Sequence, residues 1–202
     1  MSETVVSAAR PGRVMTAALA YQRFADRLSE WMGTISQYVV IVTVVVGFVN
    51  VVLRYTGQLA GVRLTNNGLI EAQWYLYSLI FLFGFGYILK HQVNVRVDFW
   101  FADQPRRRKA WIDIIGHSIS LIPFCLIAIW VSVPQVRTSW QLNEQSPDPS
   151  GLPRAPIKTM IIVAFVLLLA QAVAEMVKLI AVLRGLDEQV GIEESDTPIR
   201  IE

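Results

Sequence analysis

The sequence predicts an all-α integral membrane protein with four transmembrane helices, both termini cytoplasmic, and an N-terminal amphipathic interfacial helix. Three observations carry that expectation. Residues 31–53 and 114–136 each run for 23 residues without an Asp, Glu, Lys or Arg, residues 72–89 give 18 more, and residues 159–174 give 16. A 23-residue helix reaches about 34 Å, against a hydrocarbon core of roughly 30 Å. The runs are apolar on every face, as a lipid-embedded span requires and a one-sided surface helix does not. The third observation is the placement of charge. Counting alternate connecting segments, thirteen Lys and Arg fall on one side of the membrane and five on the other, and eleven against five remain without the distant Arg10 and Arg200. The positive-inside rule then puts both termini and the Arg106, Arg107, Arg108, Lys109 cluster in the cytoplasm.

Residues 1–13 read as a flexible tail around Pro11-Gly12. From residue 14 to residue 30 the pattern changes to an amphipathic helix that runs into the first span. Val14, Ala17, Ala18, Tyr21, Phe24, Ala25, Leu28, Trp31 and Met32 fall at helical spacing, with Gln22, Arg23, Asp26, Arg27, Ser29 and Glu30 opposite. The expected setting is the cytoplasmic interface, where Arg23 and Arg27 meet anionic headgroups; packing on another part of the protein is the alternative. Residues 31–185 form the four-span domain. Between the first two spans, Gly57, Gly61 and Asn66-Asn67-Gly68 predict an outer turn within residues 54–71.

The 91–100 segment alternates Val93, Val95 and Val97 with Asn94, Arg96 and Asp98, but a lone strand has no partner, so an extended segment or short surface helix is expected. Asp103 before Pro105 signals a helix start near Arg106, with Lys109 and Asp113 paired one turn apart and bends at Pro123 and Pro134. The second outer loop, residues 137–158, carries SPDPSGLPRAP, with four prolines in eleven residues, and is expected to be a stiff non-helical turn with Trp140 at the interface. Residues 186–202 form an acidic tail expected to be disordered.

The chemistry available to these spans is narrow. Hydrophobic residues make up 53% of the chain, mean hydropathy is +0.44, and a formal charge of +2 gives no reason to expect nucleic acid. Cys125 is the single cysteine, so no disulfide forms within the chain, and its expected role is packing. The Arg-bearing polar segment before the first apolar run is unlike a secretory signal, so the first span is expected to stay in the mature protein. With only His91 and His117, no zinc or bis-histidine haem site can be built, and no cofactor is expected. No phosphate-binding or hydrolase motif occurs; Gly84-x-Gly86 and the pair Gly116 and Ser120 read as close helix packing. Glu175 and Lys178, one turn apart in the fourth span, are expected to neutralise each other or snorkel. Asn50 and Arg54 share a helix face, and Arg54 is placed to pair with Glu71 at the start of the second span. The first three spans have no carboxylate at their centres, unlike an ion path.

NVVLRY at residues 50–55, Glu71, HQVNVRVDFW at residues 91–100 and the proline-rich loop leading to Lys158 carry a family resemblance. The chain resembles the small membrane subunit (DctQ-type small permease) of tripartite ATP-independent periplasmic, or TRAP, transporters, over roughly residues 25–185. The resemblance implies a bacterial inner-membrane subunit without catalysis of its own. Its implied partners are a large permease subunit that carries the substrate and Na⁺ sites, and a periplasmic binding protein that delivers an organic anion. It also implies structural or assembly roles for Asn50, Arg54, Glu71, His91, Arg96 and Asp98, and makes Arg63, Arg137 and Arg154, with Arg54, candidates for contacting the binding protein. The alternatives are a standalone four-helix membrane enzyme or redox subunit, and a self-sufficient small transporter. The missing cysteines, paired histidines and central carboxylates count against both.

Overall fold

No water reaches the hydrocarbon core to pair with backbone N–H and C=O groups, so a spanning segment must satisfy them itself, as a helix does. A computed structural model, which describes residues 12–93 and 104–186, has four helices long and apolar enough to cross a membrane. These are α1 (Arg13–Ala60), α2 (Asn67–Lys90), α3 (Arg106–Gln141) and α4 (Ala155–Leu183), and no strand occurs among the described residues. The tails at 1–11 and 187–202, with Arg96 and Asp98, lie outside those residues.

The 48 residues of α1 form one unbroken helix, about 72 Å long, so the 14–30 segment continues directly into the first span. Two residues of its polar face, Gln22 and Ser29, are buried at only 4% and 5% exposure, whereas Val14, Phe24 and Trp31 of the apolar face are 63–86% exposed. Lipid is as apolar as leucine, so nothing drives large apolar side chains between helices; small and polar residues make the seam instead. That seam runs through Gln22, Ala25, Ser29, Gly33 and Ser36, and takes in larger apolar residues, Met15 and Leu19, at its N-terminal end. Met15 and Leu19 meet Ala181 and Leu186 at the end of α4.

Helix α1 also runs seven residues past its apolar stretch, to a left-handed Gly61 (φ 69°) whose neighbour Val62 donates to the Gly57 carbonyl at 3.0 Å. The turn to α2 is therefore shorter than expected, and Asn66 closes it by accepting the Leu69 N–H at 3.0 Å.

Helix α4 is the hub. It packs against each of the other three helices, and a third of its most apolar stretch is buried, against 6% for the others. Phe81 and Phe85 of α2, Phe165 of α4 and Phe124 of α3 form a ladder with centroid spacings of 4.8, 6.1 and 5.7 Å. Cys125 is fully buried, as a packing residue. In α3 a π-helical turn at His117–Leu121, where the Ile122 N–H reaches the His117 carbonyl, stands just before Pro123. A proline ring crowds the carbonyl four residues back, and the wider turn relieves it. The His117 Nδ1–H donates to the Asp113 carbonyl at 2.6 Å. Gly116 and Ser120 do not make a tight contact: both are exposed, and a Cβ on Gly116 would meet nothing within 4 Å. The close approach falls instead at Gly86, where a Cβ would lie 2.8 Å from Ser29 Oγ.

Where α1, α2 and α4 converge, the buried polar residues join in one network. Lys178 Nζ lies 2.9 Å from Asp26 Oδ1 and 2.7 Å from Glu175 Oε1, so the expected Glu175–Lys178 pair forms and takes in α1 as well. Gln171, fully buried, donates to the same two carboxylates at 2.8 and 2.9 Å and accepts from Ser29 Oγ at 2.7 Å. Gln22 completes the set by donating to Asp26. Replacing Lys178 by Met leaves two carboxylates facing each other without their cation. Such a break in a buried charge network costs about 3–5 kcal/mol. Thermal unfolding in detergent is expected to show that loss in Lys178→Met, with partial recovery when Asp26→Asn is added.

Candidate assembly site

The proline-rich loop between α3 and α4 cannot hold itself by a regular backbone ladder, because proline offers no N–H. It is held by carboxylates. Glu71, in the second turn of α2 and 3% exposed, accepts from Ser146 Oγ with one oxygen and from the Leu152 N–H with the other. A Cβ on Gly151 would come within 2.8 Å of Glu71 Oε2, and one on Gly68 within 2.9 Å of the Ser150 carbonyl, so both glycines are needed for the loop to close on α2. Tyr75 adds a weak bond from its hydroxyl to the Pro153 carbonyl at 3.4 Å.

Glu144 is the second anchor. Its carboxylate accepts from Lys158 Nζ and, at 2.7 Å, from Ser139 Oγ, while its carbonyl accepts the Arg154 N–H at 3.0 Å. The bond from Lys158, then that from Ser139, holds the Glu144 carboxyl below the usual carboxylate range. Asn143 and Ser150 take left-handed conformations (φ 46° and 63°) where the loop turns, and Trp140 Nε1 donates to Thr159 Oγ1 at 2.9 Å. Residues 142–154 are non-helical as expected and strapped at both ends. Ala155 and Pro156, the last two residues of the proline-rich stretch, already open α4, because a proline in the first turn of a helix has no N–H to leave unpaired.

The candidate residues divide between three places. Arg54 and Glu71 do not pair: Glu71 is turned into the loop, and Arg54 is exposed without a hydrogen bond or ion pair among the described residues. The sequence placed them on neighbouring helices but could not show that the loop competes for the carboxylate. Asn50 joins α1 to α2 within the chain, donating from Nδ2 to Gln73 Oε1 at 3.0 Å. Across that contact a Cβ on Gly47 would fall 2.6 Å from Gln73 Nε2.

At the other end of α2, His91 Nε2 and Lys90 Nζ both reach Glu30 Oε1 at 2.6 Å, with the His91 ring 4.3 Å from that of Tyr87. Among the three docking candidates, Arg154 is half-buried and electrostatically coupled to Glu71 and Glu144. Arg63 and Arg137 are exposed, with no side-chain partner among the described residues. Sequence reasoning missed Gln73, Glu144, Ser146, Gln171 and the partner role of Glu30. Glu30, Glu144 and Ser146 are marked only by polarity near an apolar run, and Gln73 and Gln171 are uncharged residues inside one.

Two outcomes are expected for the loop. Glu71→Ala removes a carboxylate that accepts two hydrogen bonds, each worth about 1.5–3 kcal/mol. Local opening, and with it tryptic cleavage after Arg154, is expected to rise more than tenfold while the helical content stays unchanged. For Glu144 the folded pKa lies below the unfolded value, so its stabilisation is complete above the ordinary glutamate range and is lost as pH falls through the folded pKa. Protection of the loop amides in hydrogen exchange is expected to weaken below about pH 4.3, with Glu144→Gln flattening that dependence.

No curated protein and no solved structure matches the chain. Residues 43–182 match the family described as tripartite ATP-independent periplasmic transporters, DctQ component; they take in the end of α1 from Thr43, the Asn50–Gln73 contact, all of α2 and α3, the strapped loop at 142–154 and nearly all of α4. The chain belongs to that family, and is the small permease component of a TRAP transporter.

Proposed function

We propose that this subunit is a rigid membrane scaffold for the large permease of its transporter and part of the landing surface for a periplasmic binding protein, in Na⁺-coupled uptake of an organic acid. In this reading it lies in the bacterial inner membrane with both termini cytoplasmic, so the loops at 61–66 and 142–154 face the periplasm. The observation that carries it is the contrast on the loop face. The carboxylates are engaged in holding the loop, while Arg63 and Arg137 stand exposed without side-chain partners among the described residues. A fixed surface with free cations suits recognition of an acidic protein patch, where charge at the rim sets the association rate and its salt dependence. The transported substrate is recognised on other chains.

A tagged copy is expected to co-purify with a large multi-span partner, and its deletion to abolish uptake. Arg63→Glu with Arg137→Glu is expected to leave that complex intact. The same pair slows association of the binding protein by about tenfold at low salt, with the difference shrinking as salt rises. Loss of the complex in this variant, or unchanged association, would count against the docking role.

A further inference from the structure

We infer that the start of α3 and the end of α4 together form a binding site for the headgroup of an anionic phospholipid. Between them lies a depression of about 420 Å³, lined by Arg106, Arg107, Val182, Leu183, Arg184 and Gly185. Two arginines at the start of α3 and one just past the end of α4 line this one depression. Arg107 and Arg184 are exposed, and their side chains make no hydrogen bond or ion pair among the described residues. Each guanidinium offers a planar fork of donors that fits phosphate oxygens two at a time. The opening turn of α3 adds the positive end of its dipole.

The rest of the lining selects a lipid over a free phosphate. Val182 and Leu183 give the depression an apolar wall in the last turn of a membrane-crossing helix, where acyl chains run alongside the protein. A zwitterionic lipid would bring its own ammonium group up against Arg107 and Arg184, whereas a phosphatidylglycerol brings none. Basic pockets between the ends of transmembrane helices are a recurring setting for such headgroups. The bound lipid bridges α3 to α4, the helix on which α3 packs.

The test uses the whole 202-residue chain, since Asp187 and Glu188 follow this region outside the described residues. The chain, delipidated in a neutral detergent, is titrated with phosphatidylglycerol, phosphatidylcholine or inorganic phosphate, with retained lipid followed by native mass spectrometry and stability by thermal unfolding. Phosphatidylglycerol is expected to raise the unfolding midpoint by about 2–4 °C and to stay bound, while the other two do neither. R107Q/R184Q is expected to bind phosphatidylglycerol at least tenfold more weakly, and R63Q/R137Q, at the other end of the helices, to bind it normally. Each single variant, R107Q or R184Q, is expected to show part of the loss, which covers failure of the double variant to fold. Equal retention of phosphatidylcholine, an equal effect of phosphate alone, unweakened binding by R107Q and R184Q, or equal weakening by R63Q/R137Q would each overturn the assignment.

Discussion

Inside hydrocarbon a polar side chain has three options: to reach the interface, to find a partner, or to raise the energy of the fold by several kcal/mol. Asp26, Gln171, Glu175 and Lys178 take the second option together, and the packing of three helices follows from it. Lys178 and Glu175 are local neighbours and could pair in an isolated helix. Asp26 and Ser29 belong to α1, more than 140 positions away, and reach the same amide and ammonium groups at 2.7–2.9 Å. Sliding α1 along α4 by one turn would strip Gln171 and Lys178 of these partners at once, so the network sets the register of the two helices. Through Gly86 it also sets how closely α2 approaches, because any side chain there would collide with the Ser29 hydroxyl.

The same device recurs at both ends of α2 and across the proline-rich loop, at a buried carboxylate in Glu71 and at more exposed ones in Glu30 and Glu144, where each bond contributes less. Glu30 takes Lys90 and His91 at the end of α2, Glu71 takes the loop backbone at its start, and Glu144 takes Lys158 across the loop itself. These three carboxylates, with Asp26 and Glu175 of the buried network, thus tie segments together that apolar packing in lipid would leave free to slide. The apolar contacts fill space around these ties, as the Phe81–Phe85–Phe165–Phe124 ladder does between α2, α4 and α3.

What could be read from the sequence follows from this division. The four spans were legible because crossing a bilayer demands long apolar runs whatever packs beside them. The start of α3 at Arg106 was legible because proline marks it. The inward face of the first 18 residues of α1 was not. Amphipathic spacing there has two opposite meanings, apolar-in for a soluble helix and apolar-out for one beside lipid, and Phe24 and Trp31 follow the second. Glu71 was legible as a polar group needing a partner, but Arg54 and the loop were both within reach. Only the folded path of residues 142–154 brings Ser146 and the Leu152 amide to it. Asn50 found its partner in Gln73, a residue with no distinguishing sequence signal.

A transport subunit that carries its own substrate needs two arrangements separated by a few kcal/mol, so that binding can shift one to the other. The network around Lys178 is poorly suited to such a balance. Moving α1 against α4 would separate one ammonium from two carboxylates and leave a buried amide unpaired in the same step, and partial movement would lose most of that energy without reaching a second set of partners. A fold closed by such a network has one state. That single arrangement is the physical basis of the scaffold role proposed above, in which alternating access falls to another chain and this one holds a fixed position against which it moves.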